Sequence, residues 1–141
     1  MYKCTVDYLD FDGNERHEDC YFNMTKAEAF KFENTAKGGV TNVLKEIVMT
    51  DDNVKLIELF ERFVKMSYGK KSSDGRKFVK SEELFDEFSQ TEAYSVIFMH
   101  LISDSKFAAD FVNGVLSTIN GKPNVTANIS YKDFDNLNTN N

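Results

Sequence analysis

An Asp-Gly pair between two alternating stretches constrains this chain more than any other feature. Tyr2, Cys4, Val6 and Tyr8 recur at every second position before it, Cys20 and Phe22 after it, and Phe11-Asp12-Gly13-Asn14 lies between. Asp-Gly in that setting signals a hairpin, because glycine adopts the left-handed backbone that a tight turn demands. Register follows from the side chains. A two-residue Asp12-Gly13 loop pairs Cys4 with Tyr21 and puts Cys20 and Phe22 on the opposite face. A three-residue Phe11-Asp12-Gly13 loop, with Gly13 in a bulge, pairs Tyr2 with Phe22 and Cys4 with Cys20. The second keeps the apolar set on one face, which is what specifies register. It makes the two thiols cross-strand neighbours, expected to be reduced.

Beyond the hairpin the apolar period becomes helical. Thr25-Lys26-Ala27-Glu28 has the form of a capping box, and Gly38-Gly39 stops the helix it opens near Lys37. Val40, Val43, Leu44 and Ile47 follow at i, i+3, i+4 and i+7. Asp51-Asp52-Asn53 caps a third helix over about residues 54–66, apolar on a wide arc from Leu56 to Val64, with a polar stripe of Glu58, Glu61, Arg62 and Lys65. Residues 69–80 read as a polar loop. Ser81 and Thr91 cap two more helices, and Ser103 or Asp104 a last one carrying Phe107, Phe111 and Val115. After Leu116 the composition shifts: residues 117–141 hold seven asparagines and the chain's one proline, too little apolar surface to offset the cost of ordering a backbone. The expected fold class is α+β, mostly α-helical. An N-terminal hairpin (residues 2–23) leads five or six short packed helices (residues 25–116) in a single domain over residues 1–116, and residues 117–141 form an Asn-rich, flexible, disordered tail.

Chemistry is sparse. Gly69-Lys70-Lys71-Ser72 resembles the end of a phosphate-binding loop, but position 64, where that motif needs glycine, is Val64, and the segment follows a helix. Asp10-Phe11-Asp12-Gly13-Asn14 starts like a calcium loop, yet Glu15 and Tyr21 stand where glycine and a bidentate glutamate belong. Two cysteines and two histidines are too few for a four-ligand zinc site without carboxylates. His17 lies on an exposed-looking strand and His100 on an apolar helix, neither with a serine, cysteine or acid in local register for a triad. No catalytic, cofactor-binding or metal-binding set emerges, so no enzyme is expected. With 23 acidic and 17 basic residues, a net charge of −6 and a pI near 4.9 argue against nucleic acid. No apolar run reaches the about 18–20 residues of a membrane span. What remains is aromatic surface: eight of 13 phenylalanines lie between Phe60 and Phe111. They form either an ordinary core or a groove for an apolar partner helix. Tyr94, Phe98, Phe107 and Phe111 are the candidate partner-binding residues.

Longer stretches carry a resemblance. They are Tyr8-Leu9-Asp10-Phe11-Asp12-Gly13-Asn14-Glu15, Tyr21 to Glu28, Ser67-Tyr68-Gly69-Lys70-Lys71, Asp74 to Phe78, Lys80 to Leu84, Gln90 to Tyr94 and Phe111-Val112-Asn113-Gly114-Val115. In this order they resemble the tail assembly chaperones of long-tailed bacteriophages, particularly those infecting Gram-positive hosts, over about residues 2–116. The resemblance implies a non-enzymatic protein of the host cytoplasm that binds and solubilises the tape measure protein, helps recruit major tail tube subunits, and is absent from the mature virion. A frameshifted longer product and self-association are further features it leaves open. The other reading is a structural phage tail or connector protein retained in the virion.

Overall fold

The computed structural model describes residues 1–35, 39–117 and 125–134. The hairpin is built as the side chains dictate. Strands β1 (Tyr2–Leu9) and β2 (Glu15–Phe22) pair antiparallel, with Tyr2 opposite Phe22 and Cys4 opposite Cys20. Gly13 N–H donates to Asp10 C=O at 3.0 Å and Asp10 N–H to Asn14 C=O at 2.9 Å, closing a three-residue loop with Gly13 at φ +83°. That positive φ is why glycine stands there. Asp10 carboxylate accepts the Asp12 and Asn14 N–H groups and the Arg16 guanidinium, so the turn is held from inside.

Six helices follow among the described residues: α1 (Lys26–Thr35), α2 (Gly39–Met49), α3 (Asn53–Ser67), α4 (Glu82–Ser89), α5 (Glu92–Ser103) and α6 (Ser105–Val115). The caps fall where the sequence predicts them. Thr25 Oγ1 accepts from Glu28 N–H while Glu28 Oε1 accepts from Thr25 N–H, and Asp52, Ser81, Thr91 and Asp104 side chains take the first free N–H groups of α3 to α6. Residues 36–38, where the first stop is expected, lie outside the described residues. Residues 69–80 are not wholly loop: β3 (Tyr68–Lys71) continues straight from α3, pairs with β2, and turns back into the two-residue β4 (Phe78–Val79).

The expected tail needs a larger correction. Val125–Ser130 form a strand, β5, parallel to β1 with Tyr2 opposite Val125 and Val6 opposite Ile129, and Tyr131–Phe134 form a short 3₁₀ turn. Residues 125–134 are therefore part of the sheet; residues 118–124 and 135–141 lie outside the described residues. Val125, Ala127 and Ile129 alternate towards the core and the intervening Thr126 and Asn128 towards water. An Asn-rich composition hides that alternation because its stabilising partner lies more than a hundred residues away.

The sheet order is β4-β3-β2-β1-β5. Helices cover one face. Tyr2, Cys4, Val6, Tyr8, Cys20 and Phe22 enter the core there, while the other face carries Lys3, Thr5, Asp7, His17 and Asp19. Phe111 of α6 is the aromatic hub: its ring centroid is 5.0 Å from Tyr2, 5.0 Å from Phe22 and 6.0 Å from Phe63. Gly114, one turn on, has no side chain because an added Cβ would fall on the Tyr2 ring.

Candidate functional site

Helix α3 leans against α5, and α4 packs beside α5, leaving a groove between the polar side of α3 and the aromatic side of the other two. The cavity measures about 620 Å³ and is lined by Glu58, Glu61, Arg62 and Lys65 of α3, Phe85 and Ser89 of α4, and Tyr94 of α5. Two rings, Phe85 and Tyr94, line it, and the rings they touch lie outside its lining. Phe85 meets Tyr94 edge-on at 6.0 Å, Tyr94 stacks on Phe98 at 5.8 Å, and Phe88 meets Tyr94 at 5.5 Å and stacks on Tyr68 at 4.0 Å. Lys65 Nζ stands 5.9 Å over the Phe85 ring. Burial first, and the negative Glu61 second, push the Tyr94 hydroxyl above its ordinary range, so that it stays a neutral donor.

The four aromatics chosen from sequence do not form one surface. Tyr94 lines this groove, whereas Phe98 stacks on Tyr94 without lining it; both are half-buried. Phe107 is half-buried on the other side of α5, 5.5 Å from the His100 ring, and borders a second cavity of about 450 Å³ between α6 and β5. Phe111 is fully buried, so it holds the core and is no surface contact. Phe85 was not among the four, although it sits in the same acidic, aromatic helix that Ser81 opens. The charged rim was visible only as the polar stripe of α3.

Groups with chemistry elsewhere are shut away. Cys4 and Cys20 are free and buried; burial pushes the Cys4 thiol up to about 12 and Cys20 likewise upward. A thiol so placed is a poor nucleophile. Among the described residues no three His, Cys, Asp or Glu side chains gather as metal ligands, and no helix is long and apolar enough to cross a membrane. Apolar surface is exposed instead, with Val48, Met49, Val54 and Ile57 clustered at the α2–α3 corner in sequence and Met66 and Met99 beyond it.

A hairpin-led helical domain with an aromatic groove fits many proteins that bind others. The deciding observation is a family model described as phage tail assembly chaperone, which matches residues 1–118. The chain belongs to that family. No curated protein and no solved structure matches it. The phage tail assembly chaperone family points to a non-enzymatic role.

Proposed function

We propose that this chaperone binds the tape measure protein of its phage, keeps it soluble while the tail is built, and helps recruit tail tube subunits. It works in the host cytoplasm and leaves before the particle is complete. The observation that carries this reading is the groove of α3, α4 and α5. An amphipathic helix fits it: its apolar ridge covers Phe85 and Tyr94, and its flanking charges meet Glu58, Glu61, Arg62 and Lys65. Exposed Met49, Met66 and Met99 add adaptable apolar surface for a long client.

Co-expression with the tape measure protein tests the reading through its solubility and co-purification. Phe85→Asp and Tyr94→Asp, each checked for folding by circular dichroism, should weaken capture by about 30-fold or more, because a charge buried without a partner costs at least about 2 kcal/mol. Phe107→Asp, on the other side of α5, should capture normally. Folded groove variants that capture as well as wild type would remove the groove from the mechanism. Mass analysis of purified virions tests the rest: a chain retained there is a structural tail or connector protein instead.

A further inference from the structure

Strand β5 lies outside the stretch that defines the family, since that match ends at residue 118 and β5 begins at Val125. Within the matched stretch β1 is an edge strand, although Tyr2, Cys4, Val6 and Tyr8 all enter the core from it. A strand's backbone bonds alternately to its two sides. Val125 N–H donates to Met1 C=O at 3.1 Å, whereas Asp10 N–H donates to Asn14 C=O across the hairpin at 2.9 Å. By that alternation Lys3, Thr5 and Asp7 direct their N–H and C=O groups at β5, while Cys4, Val6 and Tyr8 direct theirs at β2. Without β5 those groups are orphaned, and an open edge is a template for another strand.

The present occupant is short and lightly held. It pairs with Tyr2–Asp7 of a strand that runs on to Leu9. Only Ile129 among its core-facing side chains is buried; Val125 and Ala127 are half-buried. Its other ties are few: Lys132 Nζ is 3.6 Å from Glu15 at the surface, and the largely buried His100 has its Nε2 3.2 Å from Asp133 and its ring 4.6 Å from that of Phe134. An exposed ion pair such as Lys132–Glu15 stabilises little. Among the described residues the outer edges of the sheet are poor acceptors: β2, which β3 covers only at Tyr21 and Phe22, is open from Glu15 to Asp19 but carries Glu15, Arg16, His17, Glu18 and Asp19 there. Strand β4 is two residues long between Lys77 and Lys80, and Asp133 carboxylate takes the Ser130 N–H of β5 at 3.0 Å. The edge best built to receive a strand is the one that β5 covers.

We propose that the outer edge of β1 is a strand-acceptor site, filled here by residues 125–130 and taken over by an extended segment of a partner protein. The occupant defines the partner's chemistry. It is an uncharged strand parallel to β1, small or β-branched at the positions of Val125, Ala127 and Ile129. Such a strand two residues longer also pairs beside Tyr8 and Leu9, a gain over the tethered occupant. A second copy offers only the same six residues and gains nothing. Backbone bonds supply affinity and the alternate side chains selectivity. The site is separate from the helix groove and stands whether or not that groove binds the tape measure protein.

A labelled peptide with the sequence of residues 125–134 tests it against the full chain. Ile129→Asp loosens the tethered strand, so the folded variant should take up the peptide at least about tenfold more tightly than wild type, because the open fraction sets apparent affinity. Hydrogen exchange on the wild-type chain decides the matter if that variant does not fold. The amides of Lys3, Thr5 and Asp7 should exchange at least about tenfold faster than those of Cys4, Val6 and Tyr8, as a separately opening strand requires. Equal protection of the two sets, or a folded Ile129→Asp chain that ignores the peptide, would overturn the proposal. A stable wild-type dimer with exchanged strands would overturn the choice of partner and give the edge to a second copy.

Discussion

His17 and Asp7 face each other on the open side of the sheet, Nδ1 against Oδ1, in a directly opposed cross-strand pair. The hydrogen bond to Asp7, then the attraction of its charge, raises the His17 pKa above the ordinary 6.5. The sign follows from linkage. A histidine raised in the folded state contributes stability that is fully present below its unfolded pKa, and loses it as pH climbs through the folded value. Asp7→Asn should therefore return the His17 titration, followed by NMR, towards 6.5. Its destabilisation should be largest below about pH 6.5 and fade on the alkaline side, with denaturant midpoints as the measure. A pH-independent effect would show that the pair acts through packing alone. The register expected from the side chains, with Cys4 opposite Cys20, already sets Asp7 opposite His17, so this pair was legible across the hairpin although local spacing gives His17 no acid. Phe111 marks the opposite limit. Helical spacing shows that α6 has an apolar face and not whether that face meets solvent or three other rings, so an aromatic read as a surface anchor is the centre of the core.

Elements were readable in proportion to how local their determinants are. The capping box of Thr25 and Glu28, the aspartate caps and the Gly13 bulge each involve residues within about four positions, and each stands as its sequence predicts. Strands β3, β4 and β5 are too short or too polar to announce themselves, beyond the Asp74-Gly75 turn between β3 and β4; β3 forms on β2, β4 on β3 and β5 on β1. Removing residues 118–141 therefore does more than trim a tail. It exposes Ile129's core site and the outward backbone of β1, at a cost of roughly 2–5 kcal/mol by analogy with large-to-small core changes. For a domain of this size that corresponds to a fall of roughly 5–15 °C in thermal midpoint by calorimetry. Ile129→Ala should lower the midpoint in the same direction by a smaller amount. Unchanged midpoints in both would mean that β5 adds no stability to the sheet.

At the scale of the whole molecule, charge keeps apart what apolar surface would bring together. Val48, Met49, Val54 and Met99 are each about half exposed or more, on a chain of net charge −6. Repulsion between like-charged copies weakens as pH approaches 4.9, the isoelectric point. Light scattering should show self-association rising steeply as pH falls from 7 towards that value, with added salt at pH 7 acting in the same direction by screening. Flat scattering across that range would mean the exposed apolar groups do not attract. The parallel pairing of Tyr2 with Val125 also ties the architecture to the timetable of translation. At roughly 5–20 residues per second, on the order of ten seconds separate the emergence of the two strands from a ribosome. A nascent chain in that interval carries its hairpin and helices with β1 still lacking its neighbour. Synonymous codons that slow or hasten elongation just ahead of Val125 thus set how long that edge stands open to whatever else is being made nearby.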